Sequence, residues 1–454
     1  MFRAARSSVL IFLTACAAAC GFASSRQPAR IERVVLLGFD GASLNLIEPL
    51  LAKGELPAIR RLIDEGSHGR LKSFRPAKSG VLWTSVATGK TMLKHGILDW
   101  TYVSETGLRV PYHDAGRRVK TYWEILSERG VKTGTLNWWV SYPPPPIQGG
   151  YLVSNAFRKR QQPETVYPSH LFDRLNPLRV TPDAAPAEMK RQGFALWRAE
   201  EATVPLGSAR SVLESFPIYF AHDVTVDRAS DYLWKNHPVQ VFSTYFRLPD
   251  VMSHFAAHFI DPEVHKATVA LEQAGQLGPE AMGRIDGEMA AAVAPAYRFM
   301  DRIVAKYLAR VDERTLLIVC SDHGFAYFRG GYNHYNPAME PPDGVIFING
   351  PGVKKGYRIR SARLFDLAPT ILHVMGHPVA EDMDGTFLSE AFEAPYVKAH
   401  PPGRIASYET TPRAQAAPGP NSHRVDEEVL EDLRTLGYIA VPTPSGTPGA
   451  EEAP

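Results

Sequence analysis

Cysteine is nearly absent: Cys16, Cys20 and Cys320 are the only three in 454 residues. No disulfide framework can therefore staple the fold, and an apolar core must hold it. Surplus charge is lacking as well. Lys and Arg total 50 against 48 Asp and Glu, a formal net charge of +2, which leaves no electrostatic footprint for general nucleic-acid binding. The apolar stretch near the N-terminus is short for a membrane span, which takes about 20 residues. Thr88-Gly89-Lys90 lacks the glycine spacing of a phosphate-cradling P-loop, and no internal repeat is evident. A hydrophobic content of 44% over this length suits one large core with insertions.

What the chain does have is an ordered series of seven metal-capable or nucleophilic side chains: Asp40, Ser79, Asp250, His254, Asp322, His323 and His334. Each lies at or just beyond an apolar run. Val34 to Phe39 reads as a strand buried on both faces, as in a parallel sheet. Asp40 ends it, and Gly41 allows the turn. Open α/β sheets bind ligands at the carboxyl ends of their strands, so Asp40 is either a metal ligand or the cap of the next helix. Ser79-Gly80 reads as a turn into a helix carrying Val81, Leu82, Trp83, Val86 and Ala87. A hydroxyl there is either an ordinary N-cap or a nucleophile beside free backbone N–H groups that favour a phosphate.

Tyr245 to Leu248 runs into Asp250-x-x-x-His254, a spacing that in a helix puts both side chains on one face, one turn apart. Such N and O donors suit zinc at about 2.0–2.2 Å. Leu316 to Val319 makes another buried strand, ended by Ser321-Asp322-His323-Gly324. Two adjacent ligand types at a strand terminus are hard to explain as packing. His334 follows, ahead of the strand Val345–Ile348. Cys320, inside its strand, reads as a small buried hydrophobe.

In this order the residues resemble the alkaline phosphatase superfamily, specifically its type I phosphodiesterase/nucleotide pyrophosphatase branch. The likeness covers roughly residues 31–392. It includes Gly38-Phe39-Asp40-Gly41, Ser79 before Trp83-Thr84-Ser85, His95-Gly96-Ile97, Asn137-Trp138 before Tyr142-Pro143-Pro144, Asp250-x-x-x-His254, Ser321-Asp322-His323-Gly324 and Phe365 to Thr370. It implies an α/β fold with a mostly parallel central sheet flanked by helices, and two zinc sites. Asp250, His254 and His334 would hold one ion. Asp40, Asp322 and His323 would hold the other, with Ser79 completing its shell. Other divalent ions suit the same donors.

The implied activity is hydrolysis of small phosphate esters, diesters or nucleotide pyrophosphate-type bonds, through a phosphoseryl intermediate on Ser79. No general base lies beside Ser79 in sequence. A His base contributes about 3–5 kcal/mol. Zinc, which brings bound water from a pKa of about 15.7 to about 7, offers about 12 kcal/mol. Where relatives carry an Asn shortly after His-Gly-Ile, this chain has Asp99. Recognition of the phosphoryl oxygen then passes to other groups, Lys78 among them. Trp100 is a candidate to stack on substrate. Arg158, Lys159 and Arg160 are either an anion clamp or a solvated loop. A sulfatase needs Pro two residues and Arg four residues after its Cys or Ser; Val81 and Trp83 stand there instead. A phosphomonoesterase or phosphotransferase is the alternative activity, and an inactive metal-binding protein a further one.

Residues 1–23 read as a secretory signal: Arg3 and Arg6, then Val9 to Leu13, then small residues. Leu13-Thr14-Ala15-Cys16 resembles a bacterial lipobox, so an exported lipoprotein anchored through Cys16 and facing the periplasm or cell exterior is expected. Cys20, ordinary cleavage near Ala23 and an uncleaved anchor are the alternatives. Residues 24–31 form a tether and 32–394 the catalytic domain, with helical or irregular insertions at about 157–235 and 261–290. Residues 395–454 make an extension with a short helix near Val425–Leu436 and a Pro/Gly/Ala/Glu tail unable to bury itself. Mass spectrometry of the mature protein should find a diacylglycerol-modified Cys16 at the N-terminus, and Cys16→Ala should move the protein out of the membrane fraction. An unmodified N-terminus refutes the anchor.

Overall fold

The computed structural model describes residues 30–105, 107–159, 161–194, 199–203, 205, 209–328, 331–334 and 340–414, with Glu427, Leu430, Leu433 and Arg434. The signal segment, most of the tether, Arg160 and the C-terminal tail lie outside them.

Nine strands form the main sheet: β1 (Arg33–Phe39), β2 (Ser67–Lys72), β3 (Thr133–Leu136), β4 (Tyr151–Val153), β5 (Val166–Tyr167), β6 (Val241–Phe246), β7 (Thr315–Cys320), β8 (Gly344–Asn349) and β9 (Tyr357–Arg363). Their spatial order is β9-β2-β8-β7-β1-β6-β3-β4-β5. β7, β1, β6, β3 and β4 run parallel, whereas β8 and β5 pair antiparallel to their neighbours. β1 sits mid-sheet, with Val34 paired to Val241 on one side and Leu316 on the other. That position explains its unbroken apolar run. Val35, Leu37 and Phe39 enter one core, and Val34 and Leu36 the other. β6 and β7 alternate in step, and Cys320 joins the second core as a small apolar group.

Six helices frame the site: α1 (Leu44–Ala52), α2 (Ser79–Thr88), α3 (Ala209–Asn236), α4 (Leu248–Ala256), α5 (Pro279–Leu308) and α6 (Leu367–Val374). α1, α3, α4 and α5 cover the first face; α2, α6 and the helix Tyr122–Ser127 cover the second. The last of these opens with a capping box, Thr121 and Glu124 bonding each other's backbone N–H. α2 stops at Gly89, whose φ of +69° places it in the left-handed region and sends its N–H back to Ser85. Lys90 is then buried between Asp382 and Glu409, so Thr88-Gly89-Lys90 ends a helix and cradles nothing.

Two stretches take definite form. Of the helical or irregular alternatives at 261–290, the Ala-, Gly- and acid-rich chain adopts the helical one: it forms the helix Pro262–Gln273 and the start of α5, which runs 30 residues. Ile285, Met289, Val293, Met300 and Val304 share its buried face, and the interspersed alanines let it pack closely. The extension after 395 also begins as packed structure. Arg404–Ile405 pairs in parallel with Val379–Ala380, and Arg413 is buried against Asp114 and Glu124. Among the described residues no helix is long and apolar enough to cross a membrane.

The insertion at 157–235 has a definite task. Asp223, on α3, accepts the backbone N–H groups of Arg247 and Leu248 at 2.8 Å each. These are donors that the start of α4 cannot satisfy within itself. Burial, partly offset by those two bonds and by the Arg247 charge, lifts the Asp223 pKa to about 7. The folded chain thus holds a proton that the unfolded chain releases above about pH 4, and this group's contribution to stability falls as pH rises from there towards 7. Asp223→Asn should flatten that part of the pH–stability curve in urea titrations. Asp223→Ala, which strands two buried donors, should cost about 1–3 kcal/mol.

Candidate active site

Three strand ends and two helix starts converge at one edge of the sheet. Asp40 follows β1 directly. It caps nothing, because the N-cap of α1 is Ser43. Gly41 turns the chain with φ +67°, and a β-carbon there would lie 2.8 Å from the Asp250 Cα. Ser79 is the first residue of α2 and not its N-cap, a position held by Lys78. Its hydroxyl faces the sheet and meets Asp40 Oδ1 at 3.4 Å. The helical placing of Asp-x-x-x-His holds: both residues lie on α4, with Asp250 Oδ1 and His254 Nε2 3.4 Å apart.

Past β7, Asp322 and His323 are fully buried. His323 Nε2 lies 3.1 Å from Asp40 Oδ1, 3.8 Å from Asp250 Oδ1 and 3.7 Å from Asp322 Oδ2. His334, next after the strand Gly331–Asn333, puts Nε2 3.3 Å from His254 Nε2 and 3.8 Å from Asp250 Oδ1. Its ring stacks on His323 with centroids 4.0 Å apart. All seven side chains singled out in the sequence thus meet in one buried cluster.

Two groups offer ligand atoms within 4.8 Å of one another: Asp250, His254 and His334, and Asp40, Asp250 and His323. The first is the trio expected at one ion. In the second, Asp250 stands with Asp40 and His323, and Asp322 lies just behind His323, so the Asp250 carboxylate sits between both groups. The donor set fits divalent metal. Buried carboxylates and imidazoles aimed at common points are costly unless a cation or protons join them. Protons do so here. Burial and the neighbouring Asp40 charge push the Asp322 pKa well above the carboxylate range. Burial alone would lower that of His323, but Asp322 and Asp40 raise it to about 10. Asp40 works against its own burial through His323 and the Tyr245 hydroxyl, and falls to about 2.

The proposed substrate residues are placed unevenly. Lys78 reaches Asp99 at 2.5 Å, so the two residues neutralise each other beside Ser79. Trp100 is buried in an aromatic cleft with Gly80, Tyr112, Trp139 and Tyr142, which keeps a cavity of about 20 Å³, room for one water. Arg158 is buried with its guanidinium 5.8 Å over Trp139, which overturns the solvated-loop reading for that residue. His95, by contrast, is buried against Ser85 at 3.0 Å and takes no part in the cluster. Sequence reasoning missed Tyr245, whose hydroxyl donates to Asp40. Only its alternation along β6, on the side of the second core, hinted at it.

This scaffold and edge site define an alkaline phosphatase-like α/β protein. A solved 2-O GAG sulfatase shares the fold, with a TM-score of 0.50 at 12% identity over 80% of this chain and 74% of that one. Murine ectonucleotide pyrophosphatase/phosphodiesterase 5 aligns over 80% of this chain and 100% of its own, at 11% identity and a TM-score of 0.46. A family profile described as "Type I phosphodiesterase / nucleotide pyrophosphatase" matches residues 34–353, and the chain belongs to that family. A 2,3-bisphosphoglycerate-independent phosphoglycerate mutase of Cereibacter sphaeroides is 35% identical over 119 residues, which are 25% of this chain and 22% of the mutase. The chain thus spans under a quarter of that relative's length.

Gly41→Ala should lose bound metal and activity together, because the methyl group would press on the Asp250 backbone. Gly54, at φ +73° with open space around it, is the control. Gly54→Ala should show only the backbone cost, about 1–2 kcal/mol, in denaturant titrations with metal content unchanged.

Proposed function

We propose that the protein is a metal-dependent hydrolase of phosphate esters, acting on diesters or nucleotide pyrophosphate-type bonds with Ser79 as nucleophile. The observation that carries this is the placing of the Ser79 hydroxyl. It is buried at the first position of α2 and turned onto Asp40 inside a cluster built for cations. The two groups around Asp250 would hold a pair of divalent ions, zinc by donor type, whose Lewis acidity would lower the pKa of the serine hydroxyl.

Ser79 Oγ attacks phosphorus in line as the P–O bond to the leaving group breaks, and the serine proton passes through solvent to the departing alkoxide, which leaves as the alcohol. The phosphoseryl ester is then cleaved by water, which restores the hydroxyl and frees the phosphoryl product. The Val81 and Leu82 N–H groups bond the Lys78 carbonyl, and those of Ser79 and Gly80, ahead of them at the start of α2, would be the donors to phosphoryl oxygens. The Lys78–Asp99 pair stands where relatives place an Asn, so Lys78 supplies a donor whose charge Asp99 tempers. A phosphomonoesterase or phosphotransferase is the second reading, favoured by the buried Arg158 guanidinium, which suits a dianion. We also read the protein as exported and held at the membrane through a lipid on Cys16, in keeping with its N-terminal residues.

Ser79→Ala should abolish turnover while keeping bound metal and thermal midpoint; undiminished activity would sink the assignment. With that variant as blank, kcat/KM on bis-p-nitrophenyl phosphate should exceed that on p-nitrophenyl phosphate. The reverse preference would select the monoesterase.

A further inference from the structure

The mechanism above leaves unused a strained segment that wraps one buried tyrosine. Asn137 and Val140, at φ +59° and +56°, are the non-glycine residues with positive φ among those described. For a β-branched valine that conformation is sterically costly and needs outside support. The support comes from three hydrogen bonds. Asn137 Nδ2 donates to the Tyr245 carbonyl at 3.0 Å, Trp138 Nε1 to the Trp83 carbonyl at 3.0 Å, and Trp139 Nε1 to the Tyr245 hydroxyl at 2.7 Å. The Tyr245 ring is fixed as well, edge-on to Trp83 with centroids 5.0 Å apart and flanked by Trp138 and Trp139 at 6.4 Å each.

These contacts determine where the tyrosine proton goes. An indole N–H can only donate, so the Tyr245 oxygen accepts from Trp139 and its own hydrogen points at its other neighbour, Asp40 Oδ2. One lone pair of Oδ2 is thereby taken up. Oδ1 is left facing Ser79 at 3.4 Å and His323 at 3.1 Å. We infer that Tyr245, held by Trp139, is a positioning residue that makes Asp40 a one-oxygen ligand for a divalent cation and turns that oxygen towards the nucleophile. This inference rests on the metal-centre reading of the site. It assigns the Asn137–Val140 segment the work of keeping the tyrosine in place.

The test uses the whole apoprotein and zinc alone. Affinity is read by competition with a chromogenic chelator, and thermal midpoints are measured alongside. Tyr245→Phe keeps the ring and removes the hydroxyl. Partners of this kind behind metal ligands are worth about 10–100-fold in affinity, and that loss is expected for one metal equivalent, with kcat falling and KM near parental. Trp139→Phe should shift affinity in the same direction by less. Tyr122→Phe is the control: its hydroxyl bonds Ser243 Oγ at 2.6 Å, elsewhere on β6. It should lower the thermal midpoint and leave affinity alone. Parental zinc affinity in Tyr245→Phe, or an equal affinity loss in Tyr122→Phe, would overturn the positioning role. Parental protein that binds no divalent ion would overturn the metal centre itself, and the inference with it.

Discussion

Three carboxylates are buried within a few ångströms of one another at the edge of this sheet, and most of the fold can be understood as the means of keeping them there. Asp40, Asp250 and Asp322 repel each other in a medium that screens charge poorly. Left to relax, they would separate and seek water. They are prevented because each is fixed to a different rigid element. Two of them follow the ends of the adjacent strands β1 and β7, buried almost throughout, and α4 carries the third. The apolar cores on both faces of the sheet supply the free energy that holds the charges in place.

Elements remote from the cluster support that arrangement. α3, part of an insertion, satisfies the first donors of α4 through Asp223 and so fixes the helix that bears Asp250 and His254. Gly41 lets the backbone after Asp40 pass against Asp250. On the other face, α2 brings Ser79 to the same edge, so Ser79 and Asp250 come from opposite helix layers and meet Asp40 and Asp322 only where the strands end. The early part of the C-terminal extension is drawn in by charge: Arg413 and Arg117 share Asp114 and Glu124 in a buried network.

Much of this was legible in the sequence. The apolar runs at 34–39 and 316–319 announced central strands, and the spacing of Asp250 and His254 announced one helix face. Those signals are local and periodic, so a linear reading finds them. What stayed hidden depends on pairs distant along the chain. Asp223 with Leu248, Trp139 with Tyr245, and Lys78 with Asp99 leave no repeat or motif behind. The shared position of Asp250 was equally hidden, because residue type shows that a side chain can bind metal but not which neighbours it will stand between. Composition left helix and irregular chain open at 261–290, where the alanines let a long helix pack closely.

The pairing of β1 carries a consequence for how the protein is made. The strand that bears Asp40 emerges first, yet its partners in the sheet are β6 and β7, from far later in the chain. Until β7 has been synthesised, this apolar strand lacks one of its two neighbours. His334, the last of the seven clustered side chains, appears later still. The cluster cannot be assembled piecemeal on a nascent chain. It comes into being only when strands from both halves of the chain have met, at the end of folding.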